Sequence, residues 1–147
     1  MLKSDKENFD SFFCSIYHIL YYMNDKKLKD MGVTNQQGRL LEIIYDNILA
    51  GHTITRHFLE EVMDLRGPTI TSLLNGLEKK EYIIRTVSNE DHRAMKLIIT
   101  PKGEKVLDDI RKIFNGMQDK LLKGMTDEEI QTLKKLLFKV YDNLLEQ

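Results

Sequence analysis

At 147 residues the chain has the size of one ordinary domain, and with 41% apolar residues it can bury a core. Its single cysteine excludes an intramolecular disulfide and a multi-cysteine zinc site, and a net charge of -1 excludes a global basic field that would advertise a polyanionic partner. Charged residues reach 31%, which suits a helical protein with solvated faces.

The first predicted element holds the most apolar run, FFCSIYHILYYM at residues 12–23. It is shorter than the roughly 20 residues a membrane span needs. Asp5, Glu7 and Asp10 precede it, where a signal peptide would carry basic residues. The run therefore reads as a buried helix of a cytoplasmic protein, opened by a Ser4/Glu7 capping box and closed by Gly32. A second helix opens at Thr34 with Gln37, another capping box, runs through Leu40, Leu41, Ile44, Tyr45 and Ile48, and stops at Gly51. A short strand is expected at 52–54. Thr55 then caps a third, shorter helix bearing Phe58, Leu59, Val62 and Met63.

After Gly67-Pro68, a helix start with proline preset at the first turn, the fourth helix places Ile70, Leu73, Leu74 and Leu77 at i, i+3, i+4 and i+7. The pattern next changes to β-branched and apolar runs, YIIRTV at 82–87 and KLIIT at 96–100, around the polar stretch SNEDHRA. That alternation predicts a hairpin with an extended tip. Thr100-Pro101 restarts helix, which continues through Val106, Leu107, Ile110, Ile113, Phe114 and Met117 to Leu121. Gly124 breaks it, and Thr126 with Glu129 opens a last helix carrying Ile130, Leu133, Leu136, Leu137, Val140, Tyr141, Leu144 and Leu145. The expected fold is mainly α with a small β-wing, in the order α-α-(β)-α-α-β-β-α-α.

Two short helices joined by a tight turn and followed by a hairpin form a winged helix-turn-helix, whose second helix can enter a major groove about 12 Å wide. With the aliphatic stripe inward, the fourth helix turns Thr69, Thr71, Ser72, Asn75 and Gly76 outward, all small and polar, with Lys79 extending a positive trace. Hydroxyls and an amide can address phosphates and base edges, small side chains permit close approach, and the helix N-terminus at Arg66-Gly67-Pro68 offers backbone N–H groups and a partial positive charge. On the hairpin, Arg85 and Lys96 lie on the strands and Asp91, His92 and Arg93 at the tip. A tip arginine can enter the adjoining minor groove, where the potential is negative. Charge composition adds little: residues 51–105 hold nine Lys/Arg against eight Asp/Glu.

These stretches carry a resemblance. VTNQQGRLLEIIY, RGPTITSLLNGLEKKEYI and EDHRAMKLIITPKGEKV resemble the MarR family of bacterial transcription regulators over nearly the whole chain, with its T-x-x-Q helix start, GPT-containing recognition helix, and wing of D-x-R followed by L-x-x-T-x-x-G. Asp91-x-Arg93, Leu97, Thr100 and Gly103 occupy the wing positions. The multidrug-efflux regulators are the branch it resembles most. The resemblance implies a homodimer whose two winged lobes bind successive major grooves of a pseudo-palindromic double-stranded DNA, and repression relieved by a small ligand. It implies a winged lobe at 34–103 and a helical dimerisation region at 1–33 and 104–147. Two departures stand out: Glu60, next to Glu61, occupies a helix-3 position that is usually small, and His92 stands where family wings often carry a further basic residue.

The terminal helices argue for a dimer independently, because their apolar stripes exceed what a lobe of about 65 residues can cover. Phe9, Ile113, Leu133, Leu137, Tyr141 and Leu144 are the interface residues expected. Phe13, Tyr17 and Tyr21, with Tyr22 and Met23, can serve as core, as dimer packing, or as the wall of a cavity for a small aromatic effector. Cys14 reads as a buried small hydrophobe, with thiol-based redox sensing as the alternative. His18, His52, His57 and His92 show no metal-ligand spacing, and the sequence holds no nucleophile–base pair and no phosphate-cradling glycine loop. The expectation is a regulator without cofactor, metal or catalytic residues. A winged-helix module that binds another protein is the competing reading.

Overall fold

The computed structural model describes residues 8–87 and 93–146. Among these, six helices and one three-stranded antiparallel sheet follow in the order α1 (Phe9–Asp30), α2 (Asn35–Leu49), β1 (Ile54–Thr55), α3 (Arg56–Met63), α4 (Gly67–Lys79), β2 (Ile83–Val87), β3 (Ala94–Ile99), α5 (Pro101–Leu121) and α6 (Asp127–Leu145). This is the mainly helical, winged arrangement expected. The Ser4/Glu7 cap falls outside the described residues, and Asn8 caps α1 by accepting from Ser11 N–H at 2.9 Å. The other caps form as read. Thr34 with Gln37 and Thr126 with Glu129 make reciprocal capping boxes, and Thr55 Oγ1 accepts from Phe58 N–H at 3.0 Å. The short strand expected at 52–54 lies at Ile54–Thr55 and pairs with Ala94 and Met95.

The chain divides into two compact units, Met1–Phe114 and Asn115–Gln147. The core of the first gathers Leu28 and Val33, Leu40, Leu41 and Ile44 of α2, Leu59 of α3, the α4 stripe, Tyr82, Ile83, Leu97, and Leu107 and Ile110 of α5. All four stripe residues of α4 are buried, and Ile70, Leu74 and Leu77 are wholly so. Arg111 fastens α5 to α2: its guanidinium donates to Asp46 at 2.9 Å, lies 3.7 Å from Glu42, and stacks 4.7 Å from the centre of the Tyr45 ring.

The wing is anchored by the residues that matched L-x-x-T-x-x-G. Leu97 of β3 enters the core. Thr100 Oγ1 donates to Glu81 C=O at 2.6 Å and accepts from Gly103 N–H at 3.0 Å, so one hydroxyl joins the start of β2 to the start of α5. A Cβ at Gly103 would collide with the carbonyl of Tyr82, and a backbone atom cannot step aside. Glycine is therefore required there by close approach.

One expectation is corrected. The run at 12–23 reads as a buried helix, yet Leu28 is the only residue of α1 that is buried. Phe9, Phe12, Phe13, Ile16, Tyr17, Ile19, Tyr21 and Tyr22 are all exposed, as is Cys14, which is not the buried hydrophobe expected. High apolar content says that a face wants cover; it does not say that its own chain supplies it.

The second unit shows the same condition. In α6 no residue is buried, and Leu136, Leu137, Phe138, Val140, Tyr141, Leu144 and Leu145 are exposed. No helix among the described residues is long and apolar enough to cross a membrane.

Candidate nucleic-acid interface

With the stripe of α4 in the core, its remaining positions form the outer surface expected from the sequence. Pro68, Ser72, Asn75 and Lys79 are exposed, and Thr69, Thr71 and Gly76 are half-buried. Thr71 is partly engaged, its hydroxyl donating to Gly67 C=O at 3.0 Å. Arg66 is the N-cap residue, and among the described residues no side chain caps the helix. The first N–H groups of α4 thus differ from those of α2, α3 and α6, which threonines cap.

Lys80, just past the end of α4, donates to Gln37 Oε1 at 3.0 Å and to Gly32 C=O, which ties the far end of the helix to the start of α2. The face is held at both ends by other elements: α3 packs against α4 at one end and β2 follows at the other.

Arg85 is a site cation whose placement was not legible. Its guanidinium turns back onto α4, donating to Asn75 Oδ1 at 2.8 Å and pairing with Glu78 Oε1 at 2.7 Å. This explains how α4 carries an acidic residue beside its polar face: Glu78 and Arg85, both about one-third exposed or less, neutralise each other.

Arg93 is exposed at the start of β3, within reach of the α3 side of the lobe. It lines a cleft of about 630 Å³ with Thr55, Arg56, His57, Glu60 and Met95. Glu60 closes the distance to α4, because a Cβ on Gly67 would stand 2.6 Å from its Oε1. The carboxylate therefore lies at the N-terminal end of α4, where the helix dipole favours negative charge. Glu61 points elsewhere: it is exposed and 3.1 Å from His57 Nε2, while Glu60 is 3.9 Å from His57 Nδ1. Arg56 is not singled out by sequence reasoning, and His57 is weighed there only as a metal ligand. Their signal was available in the three residues between the Thr55 cap and Leu59, since the first turn of a helix packed beside a wing must face the same side as the wing base. Asp91 and His92, the remaining tip residues expected in the site, lie outside the described residues.

Of the effector candidates on α1, Phe13, Tyr17 and Tyr21 are exposed and spaced four apart, with the Tyr17 and Tyr21 ring centres 5.9 Å from each other. Of the expected interface residues, Phe9, Leu137, Tyr141 and Leu144 are exposed, Leu133 is half-buried, and Ile113 packs partly against the core.

This architecture has relatives. Residues 31–94 match the model of the MarR family. An uncharacterized HTH-type transcriptional regulator of Bacillus subtilis, YwaE, is 30% identical over 102 residues, which is 69% of this chain. The chain spans 59% of that relative's length. Among solved structures, the Staphylococcus aureus MepR–DNA complex superposes with a TM-score of 0.83 at 28% identity, covering 96% of this chain and 99% of that one. MepR in its DNA-binding conformation gives 0.80 at 28% identity, covering 94% and 99%. MepR described as a transcription regulator of the multidrug efflux pump MepA gives 0.73 at 28%, again covering 94% and 99%. Family model, sequence relative and whole-chain superposition agree: the chain belongs to the MarR family, and its lobe is a winged helix-turn-helix.

Proposed function

We propose that this chain is a homodimeric, sequence-specific DNA-binding transcriptional regulator, acting as a cytoplasmic repressor whose hold on DNA is relieved by a small aromatic ligand. The observation that carries the reading is the outer surface of α4: small, hydroxylated and amide-bearing over a fully buried stripe, with an uncapped N-terminus. In this reading Thr69, Thr71, Ser72 and Asn75 meet base edges and phosphates in a major groove. Arg66, Gly67 and Pro68 bring the helix N-terminus to a phosphate, and Lys79 follows the backbone. Arg93 addresses the adjoining minor groove, and Asp91 and His92, its neighbours in sequence, are proposed to act with it. Arg56 adds a cation along the same side, with His57 next to it. The similarity to MepR, solved as a DNA complex, supports this assignment.

The lobe at 34–103 would be the reader, and the segments 1–33 and 104–147 would join two copies. The open apolar faces of α1 and α6 support that division, since a monomer rarely leaves so much aromatic and aliphatic surface in water. Phe13, Tyr17 and Tyr21 are the residues proposed to meet the effector. The near-neutral net charge means that affinity rests on local placement of cations rather than a global field.

The test is a shift assay on pseudo-palindromic fragments at several salt concentrations. The expected plot of log affinity against log salt is linear, with a slope of about -0.9 for each phosphate neutralised. Arg93→Ala should weaken binding at every sequence and reduce that slope by roughly one. Affinity and slope identical to wild type would remove the wing from the interface, and no retention of any duplex by wild type would remove the DNA reading altogether.

A further inference from the structure

The Arg85 contact has a consequence for which base Asn75 can read. Asparagine recognises adenine in the major groove by using both ends of its amide: Oδ1 accepts from the adenine N6 amino group while Nδ2 donates to N7. In this chain one of the two lone pairs of Oδ1 is already engaged by a cation, which leaves a poorer acceptor for an adenine amino group. Arg85, a half-buried residue on β2, donates to it at 2.8 Å. A guanidinium has donors only, so the atom facing it must be the amide oxygen and not the nitrogen. The arginine is itself fixed, because Glu78 holds the same terminal nitrogen at 2.7 Å from the next turn of α4. Asn75 is exposed at this point, and the part of it most open to a partner is the NH2 group.

We infer that Arg85 makes Asn75 read mainly through its donor, so that it selects a G·C pair over an A·T pair at the base step it meets. A guanine offers two neighbouring acceptors, N7 and O6, to a donating amide, whereas an adenine offers one acceptor beside a competing donor. The inference rests on the proposal that α4 enters a major groove, and adds to it the specificity of one position and the residue that sets it. Arg85 acts through Asn75 as a positioning residue. Glu78 keeps its charge from being drawn away to a phosphate.

The experiment is selection of bound duplexes from a randomised library by the full chain and three variants. Asn75→Ala locates the position, because preference should vanish there and persist elsewhere. At that position wild type should enrich G·C. The paired change Arg85→Met with Glu78→Gln removes one positive and one negative charge and frees Oδ1. It should turn the preference toward A·T, changing the ratio by roughly fivefold to a hundredfold, the range a single bidentate base contact commands. Arg85→Met alone should shift the same position in the same direction, which guards against a folding defect in the double variant. An A·T preference in wild type at the position Asn75→Ala locates, or an unshifted preference there in both Arg85 variants, would overturn the inference while leaving DNA binding intact. So would an Asn75→Ala consensus that loses nothing at any position. If wild type enriches no sequence at all, the groove reading fails and this inference goes with it.

Discussion

Helices α4 and α6 have the same kind of sequence and opposite fates. Each places aliphatic residues at helical spacing. In α4 the four of them are buried and the polar remainder is left outside; in α6 none is buried and Leu136, Leu137, Val140, Leu144 and Leu145 stay open. Periodicity states which face of a helix avoids water. It does not say whether the chain that bears the face also covers it. Where the polar side is small and hydroxylated the exposed surface can be the working one, and where the apolar side stays exposed the working surface waits for a partner.

The comparison can be broken most strongly at Leu74. It is wholly buried, and Leu74→Ala should cost about 2–5 kcal/mol in chemical denaturation. That loss should not depend on protein concentration, because the cavity opens within one chain. Leu137→Glu is the counterpart in α6. Leu137 is 45% exposed in the single chain, so a charge there should leave the folded unit intact. It should instead weaken association by at least about tenfold, the scale of an interface anchor, read as a shift from dimer toward monomer in sedimentation equilibrium. An intact dimer in Leu137→Glu would remove that face from the interface.

Much of this contrast was legible in the sequence, for reasons that differ by residue. Capping boxes such as Thr34/Gln37 and Thr126/Glu129 are local, closed by residues three apart, so sequence alone suffices. The α4 stripe was legible because a single row of four aliphatics leaves one way to turn the helix. Leu97, Thr100 and Gly103 were recognised as a pattern, and the structure supplies the reason: a core contact, a shared hydroxyl and a backbone approach. The exposure of α1 was not legible, since an apolar run reads alike whether its own chain or another covers it. Nor was the turning of Arg85 onto Asn75 and Glu78, or the seating of Glu60 against Gly67. Those depend on where a strand and a neighbouring helix arrive in space, which no local spacing encodes.

Glu60 offers a finer cut. Its carboxylate sits at the end of α4 where the proposed phosphate would be bound, so it competes for the same partial positive charge. Glu60→Gln keeps the shape and removes the charge. The expected result is DNA affinity raised by roughly twofold to fivefold at low salt, the size of a helix-terminus charge effect, with a small loss of stability from the same cause. The gain should shrink as salt rises. Affinity that falls instead would mean that Glu60 organises the α3–α4 corner more than it repels.

The smallest effect is expected at the turn that leaves α4. Glu81 holds φ at 62°, in the left-handed region, which costs a residue with a Cβ about 1–2 kcal/mol relative to its usual conformations. Its carboxylate reaches Lys102 at 3.7 Å, but the two side chains are 80% and 61% exposed, and such a pair contributes little. Glu81→Gly removes the steric cost and adds roughly 0.5–1 kcal/mol of unfolded-state entropy to be overcome. The balance favours glycine by about 0.5 kcal/mol, a rise of about 1–2 °C in Tm. Because Glu81 lies in the first unit with Leu74, the rise should be the same at every protein concentration, unlike any change made on α6. A fall in Tm would assign Glu81 a favourable contact stronger than an exposed ion pair, with its backbone carbonyl bonded to Thr100 as the place to look.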